Sequence, residues 1–159
     1  MAAGSRPGQV TINGNLTLNA GDSFPIEING INPANQFDNF IVNGVVSLGG
    51  STLNVSLGAN PTVGNIYQII DNNLTEAPGL FAGLIEGHIF TVVSGLFTGT
   101  FQISYQGGDG NDVVLTALNP AAPTLSGTPG DDIWLVQLNG ANLEVTLNGN
   151  VILLTPFAG

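Results

Sequence analysis

Residues 99–118, GTFQISYQGGDGNDVVLTAL, decide the fold class, because they place two strands and a glycine-aspartate corner within twenty residues. Phe101, Ile103 and Tyr105 alternate with Thr100, Gln102 and Ser104, the period-two signature of a half-buried strand. Gly107-Gly108-Asp109-Gly110-Asn111-Asp112 follows, and this run predicts a sharp turn. Its glycines allow positive φ, and its Asn and Asp side chains can cap neighbouring backbone. Val113, Val114 and Leu115 then resume a strand. Gly110, the third glycine of the corner, is expected to take a positive φ, and Asp112 to accept hydrogen bonds from backbone amides of the corner.

Outward from this stretch, strand follows strand with Gly and Asn between. Val10 and Ile12, then Leu16 and Leu18, flank Asn13-Gly14; Phe24, Ile26 and Ile28 stop at Asn29-Gly30; residues 37–48 repeat the pattern around Asn43-Gly44. Leu53, Val55 and Leu57 alternate with polar residues, and residues 66–70 form a further strand ended by Asp71-Asn72-Asn73. Strong strand formers, frequent corner signals and no helical periodicity predict an all-β chain. The Asn-Gly pairs run from 13 to 29 to 43, steps of 16 and 14 residues, short of the ~20 residues usual for a solenoid turn. Such pairs also suit antiparallel hairpins, so spacing leaves sandwich and solenoid both open.

Residues 75–95 interrupt the strand pattern. Leu80, Phe81, Leu84 and Ile85 lie among glycines there, expected as a loop covering the core, with an exposed contact patch as the alternative. His88 has no cysteine or second histidine to join it in the chain, and is read as structural. Asn119-Pro120-Ala121-Ala122-Pro123-Thr124 disfavours a ladder and marks a connector. Beyond it, residues 133–138, 143–147 and 151–154 predict a three-stranded meander joined at Asn139-Gly140-Ala141-Asn142 and Asn148-Gly149-Asn150. The expected organisation is a module over 1–118, a linker over 119–126, and a meander over 127–159. Three short strands make a marginal fold alone, so the meander is expected to dock on the main module or a neighbouring subunit.

Composition restricts the partners. One basic side chain, Arg6, stands against eleven carboxylates, a net charge of −10. Neither phosphate contacts nor a polybasic patch can be built, which argues against nucleic acid and anionic membranes. No stretch reaches the ~20 apolar residues of a membrane-spanning helix, and residues 1–8 lack the layout of a signal peptide. The absence of cysteine removes disulfides and thiolate metal sites.

The segments FDNFIVNGVVSLGGSTLNVSL, GNIYQIIDNN, GLFAGLIEGHIF and FTVVSGLFTGTFQISYQGGDGNDVVLTAL resemble the repeat units of very large bacterial surface proteins related to autotransporter passenger domains. The resemblance covers roughly residues 24–118, and the GGDGNDVVLT ending is its most specific part. It implies a parallel β-solenoid (β-helix-like) stack, followed here by the small C-terminal meander. It also implies an extracellular or bacterial cell-surface location and a structural or adhesive role, with no catalytic residues to carry over. The corner also matches one copy of the calcium-binding β-roll nonapeptide, and Gly127-Thr128-Pro129-Gly130-Asp131-Asp132-Ile133-Trp134-Leu135 resembles a second, degenerate copy.

That resemblance makes Asp109, Asp112, Asp131 and Asp132 the candidate metal ligands, for calcium. The two copies are not tandem, and the competing reading makes all four turn-capping side chains. No other cofactor is expected. Parallel β-helices also host lyases and glycosidases, but a lyase needs a Lys or Arg base and a glycosidase a carboxylate pair in a cleft. With Arg6 alone and no paired carboxylates legible, the expectation is a non-enzymatic extracellular structural module. Its uncharged terminal strands, residues 10–18 and 151–154, predict a homo-oligomer or a head-to-tail homopolymer forming a filament or surface fibre. The alternative is a calcium-dependent adhesin module that engages a surface glycan or another cell-surface partner.

Overall fold

A computed structural model describes residues 6–33, 35–74, 78–119, 128–139 and 142–156, the side chains of 153–156 excepted. The chain is all-β and divides into two compact units, Met1–Pro120 and Ala121–Gly159. The connector expected at 119–126 falls almost wholly outside the described residues.

In the first unit, parallel pairing governs strands β1 (Gln9–Ile12), β2 (Leu16–Thr17), β3 (Ser23–Ile28), β4 (Asn39–Val42), β5 (Val46–Ser47), β6 (Thr52–Leu57) and β7 (Ile66–Asn72). Strand β1 pairs with β4, β4 with β7, β2 with β5, and β3 with β6. Alternation is clearest in β3, where every second side chain turns inward: Phe24, Ile26 and Ile28 are buried while Pro25 and Glu27 are not. Pro25 fits this edge strand, since its missing N–H leaves no gap on the side facing β6.

The register is 30 residues for β1–β4, β4–β7 and β2–β5 and 29 for β3–β6, so like stacks on like. Asn43 Nδ2 donates to Asn13 Oδ1 at 2.9 Å, and Asn73 Nδ2 to Asn43 Oδ1 at 2.7 Å, each across 30 residues. Gly44 lies so close to the Gly14 backbone that a Cβ there would overlap it, which is why glycine follows asparagine at this corner. Asp38, 6% exposed, ties the first rung to the second by accepting from Gly8 N at 2.8 Å and Glu27 N at 2.9 Å.

After β7 the winding stops, and here the solenoid expectation is overturned. Strands β8 (Ile89–Ser94), β9 (Phe97–Gly107) and β10 (Asp112–Leu118) run antiparallel, and β10 takes the free edge of β7 antiparallel as well. The result is a mixed six-stranded sheet of order β1-β4-β7-β10-β9-β8 beside two small sheets, β2-β5 and β3-β6. The physical reason lies in the GGDGND corner. It joins β9 to β10 with a hairpin-length turn, and parallel neighbours need a crossover of about a dozen residues or more. Strand β8 lies inside the segment expected to be loop, joined to β9 by a tight turn at Gly95, whose φ is +61°.

The core of the unit is one cluster in which Phe24, Phe40, Tyr67, Ile69, Ile70, Phe101, Ile103 and Leu115 are each at most 2% exposed. Burying a side chain of this size contributes about 1.5–3 kcal/mol. The 78–87 loop lays Phe81 (2% exposed) into this core but leaves Leu80 at 45% and Ile85 at 64%, so it both covers the core and presents an apolar surface. Tyr105 pins the loop: its hydroxyl donates to Leu84 O at 2.7 Å and accepts from Phe81 N at 3.1 Å.

The second unit is an antiparallel meander of β11 (Trp134–Asn139), β12 (Asn142–Leu147) and β13 (Asn150–Pro156), as the sequence predicts. Its second turn has positive φ at both central residues, Asn148 (50°) and Gly149 (82°), the conformation for which Asn-Gly is suited.

Candidate functional site

The β9–β10 turn holds the densest set of functional candidates. Gly108 has φ +53° and Gly110 φ +115°, the latter as the sequence predicts, so the backbone folds back tightly enough to bring Asp112 under the turn. Asp112 is 3% exposed. Its Oδ1 accepts from Asn72 N at 2.8 Å and its Oδ2 from Gln68 Nε2 at 2.6 Å. The backbone amide that it takes up therefore belongs to β7, not to the corner, and both carboxylate oxygens are engaged in fastening the hairpin to the parallel strands.

Asp109, two residues before Asn111 in the same turn, is exposed. With Gly110, Asn111, Asn73 and Leu74 it lines a hollow of about 160 Å³. Asn111 is 7% exposed, and its Oδ1 is buried with no hydrogen-bond partner. Asp71 joins the neighbourhood from the end of β7: burial, then the nearby Asp112 and Asp109 carboxylates, hold its pKa above the usual carboxylate range. Three carboxylates thus share one corner.

The other two candidates lie in the second unit. Asp132 caps its own turn, accepting from Thr128 Oγ1 at 2.6 Å, Thr128 N at 2.9 Å and Asn148 Nδ2 at 3.1 Å. The Thr128 hydroxyl is the main reason that its pKa is held below the usual carboxylate range. Asp131 beside it is exposed. Glu144 in β12 is likewise lowered, by hydrogen bonds from Asn139 Nδ2 (2.7 Å) and Gln137 Nε2 (2.8 Å). For Asp132 these contacts are those of a turn cap.

Among the described residues, no group of three or more His, Asp or Glu side chains is arranged to hold a metal ion. His88 is exposed and takes part through its backbone, its N–H donating to Ile85 O and its carbonyl accepting from Ile103 N, both at 3.0 Å. Asp71, Gln68 and Asn111 are the residues that sequence reasoning missed. Asp71-Asn72-Asn73 reads as a strand end, and only the register of β7 against β10 shows that it faces the GGDGND turn. Comparison with protein-family models, with curated proteins and with solved structures gives no match for the chain. Among the described residues, no helix is long and apolar enough to cross a membrane.

Proposed function

We propose that the chain is a non-catalytic structural module that associates with copies of itself, head to tail, through its sheet edges to build a filament or surface fibre. One observation carries the reading. The outer strands of the two larger sheets are β1 (QVTI) and β8 (IFTVVS) in the first unit, and β11 (WLVQLN) and β13 (NVILLTP) in the second. None holds a charged residue. The charges within these sheets sit on inner strands: Asp71 in β7, Asp112 in β10 and Glu144 in β12. Soluble proteins guard edges with charge, Lys above all, and these two sheets do the reverse.

Apolar side chains along those edges support the same contact. Val93 is 72% exposed on β8; Val136 and Leu138 on β11 are 61% and 60%, and Val151 on β13 is 55%. A head-to-tail contact sets an edge of one copy against a different edge of the next and need not close into a ring. The extracellular or cell-surface placement rests on the resemblance to bacterial surface-protein repeats, with which the cysteine-free, Asn-rich surface agrees.

Sedimentation velocity and negative-stain imaging at micromolar to millimolar concentration test the reading. Polymers are expected, and one lysine on each edge (Thr11→Lys, Thr91→Lys, Val136→Lys, Val151→Lys) should disperse them while the β-sheet circular dichroism persists. A wild-type protein that stays monomeric throughout overturns the proposal.

A further inference from the structure

Five asparagine-glycine pairs stand in the chain, their asparagines at 13, 29, 43, 139 and 148. Such a pair is prone to lose its side-chain amide, because glycine has no Cβ to shield the backbone nitrogen that attacks it. Four of the five amide nitrogens are held. Asn29 Nδ2 donates to Glu27 Oε1 at 2.8 Å, Asn43 Nδ2 to Asn13 Oδ1 at 2.9 Å, Asn139 Nδ2 to Glu144 Oε2 at 2.7 Å and Asn148 Nδ2 to Asp132 Oδ1 at 3.1 Å. Asn13 is the exception: β1 is the edge of its sheet, so its Nδ2 meets no acceptor among the described residues, while its Oδ1 accepts from Asn43. Asn13 is also exposed, and the space where a Cβ on Gly14 would sit is open, whereas Gly44 is packed on the Gly14 backbone and Gly30 on the Gln36 side chain. Gly149 has open space too, but Asn148 is held at both ends, its Oδ1 accepting from Ile133 N at 2.9 Å.

We propose that Asn13 is a site of spontaneous deamidation, set apart from the other four pairs by the Asn13–Asn43 contact. Hydroxide takes the Gly14 N–H proton, and the nitrogen attacks Asn13 Cγ. The new N–Cγ bond closes a succinimide as the Cγ–Nδ2 bond breaks, and Nδ2 leaves as ammonia with a proton from water. A second water adds to either ring carbonyl and opens the ring to aspartate or isoaspartate; nothing is oxidised or reduced. The contact favours this at Asn13 in two ways. Asn43 Nδ2 donates to the oxygen on which negative charge develops during attack, and the nitrogen that must leave is not tied to an acceptor. Either product sets a carboxylate at the end of β1, an edge strand with no charge. Isoaspartate also lengthens the backbone at the corner and displaces the oxygen that Asn43 holds, cutting the ladder at its first step. The reaction takes place within one chain and does not depend on the assembly reading.

The test ages the full chain in mildly alkaline buffer and follows conversion at each pair by peptide mass spectrometry, with fragmentation that separates aspartate from isoaspartate. Asn13 should convert about five- to tenfold faster than Asn43, the factor that one hydrogen bond supplies. The same chain aged in urea is the control: with every amide released, the five pairs should converge on similar rates. Asn13→Ala removes the acceptor of Asn43 Nδ2 and leaves Asn43 Oδ1 accepting from Asn73, which sets up the same combination one rung along. Conversion at Asn43 should then rise toward the rate that Asn13 shows in the parent. Three results overturn the proposal: Asn13 converting no faster than the other pairs in the folded protein, a ranking that persists unchanged in urea and so comes from local sequence, or conversion at Asn43 that Asn13→Ala leaves unmoved.

Discussion

The parallel strands β1–β7 and the antiparallel strands β8–β10 share one core but hold their polar groups in opposite ways. In the parallel half, a 30-residue register sets Asn13, Asn43 and Asn73 on one another, so cohesion is spread over many small, exposed bonds. In the antiparallel half there is no register to repeat, and beside the β7–β10 ladder one buried carboxylate, Asp112, supplies the side-chain tie to the parallel strands. Asp38 is its counterpart within the parallel strands, accepting two backbone amides where the β1–β4 and β3–β6 ladders run. The difference is one of concentration. Where a chain repeats, no single side chain is decisive; where it breaks its repeat, one is.

The comparison is broken most directly at Asp112. Asp112→Ala removes a charged acceptor and leaves the buried Asn72 N–H and the Gln68 amide without it, a loss expected at about 3 kcal/mol. Denaturant melts in chelator check this, since the role is structural. Destabilisation seen only when calcium is present would mean that Asp112 serves a metal instead. Gly108→Ala comes next, at about 2 kcal/mol, because Gly108 has φ +53° and a Cβ there would overlap the Asp112 carboxylate. Gly110→Ala should cost less, near 1 kcal/mol: at φ +115° it is strained, but its Cβ would meet nothing within 4 Å. Equal midpoints for the two variants would detach the turn from Asp112.

The same contrast explains what the sequence could and could not reveal. Strand positions were legible because alternation is local: Phe24-Ile26-Ile28 and Phe101-Ile103-Tyr105 mark their inward faces without knowledge of any partner. The meander was legible for the same reason, with Asn148-Gly149 naming its own turn. The register was written in the chain yet hidden, since Asn29-Gly30 falls between Asn13-Gly14 and Asn43-Gly44, and Asn73 is followed by leucine. The end of the parallel winding was not legible, because a glycine-aspartate corner serves a stacked rung and a hairpin equally. What decides is that β10 binds β7, with Gln68 reaching Asp112 across 44 residues. The site was half legible: Asp109 and Asp112 announce themselves, but Asn111 matters only through burial and Asp71 only through pairing.

Asn43→Ala probes the distributed half. It removes two exposed hydrogen bonds, to Asn13 and from Asn73, and should cost about 1 kcal/mol. Asn13→Ala, at the end of the ladder, loses one bond of that pair and should cost roughly half as much. Differential scanning calorimetry on both decides the point. A loss at Asn43 as large as that at Asp112 would show that the ladder is as concentrated as the hairpin joint.

The smallest effect tests whether the crowded corner carries electrostatic strain. Burial first, then the Asp112 and Asp109 carboxylates, raise the pKa of Asp71 above the ordinary value of 3.8, so the folded protein holds that proton more tightly than the unfolded chain. The stability linked to it is fully present below pH 3.8 and is lost as the pH rises through the folded value. At neutral pH the ionised Asp71 is therefore a net burden. Asp71→Asn lifts it, and in chelator the variant should melt slightly above the parent at pH 7. Its advantage should shrink as the pH falls through the raised value and close below 3.8. Thermal melts across pH 3–7 read the sign directly. A variant that is less stable at neutral pH, or whose advantage grows on acidification, would show that the Asp71 carboxylate is held by favourable contacts rather than crowded by its neighbours.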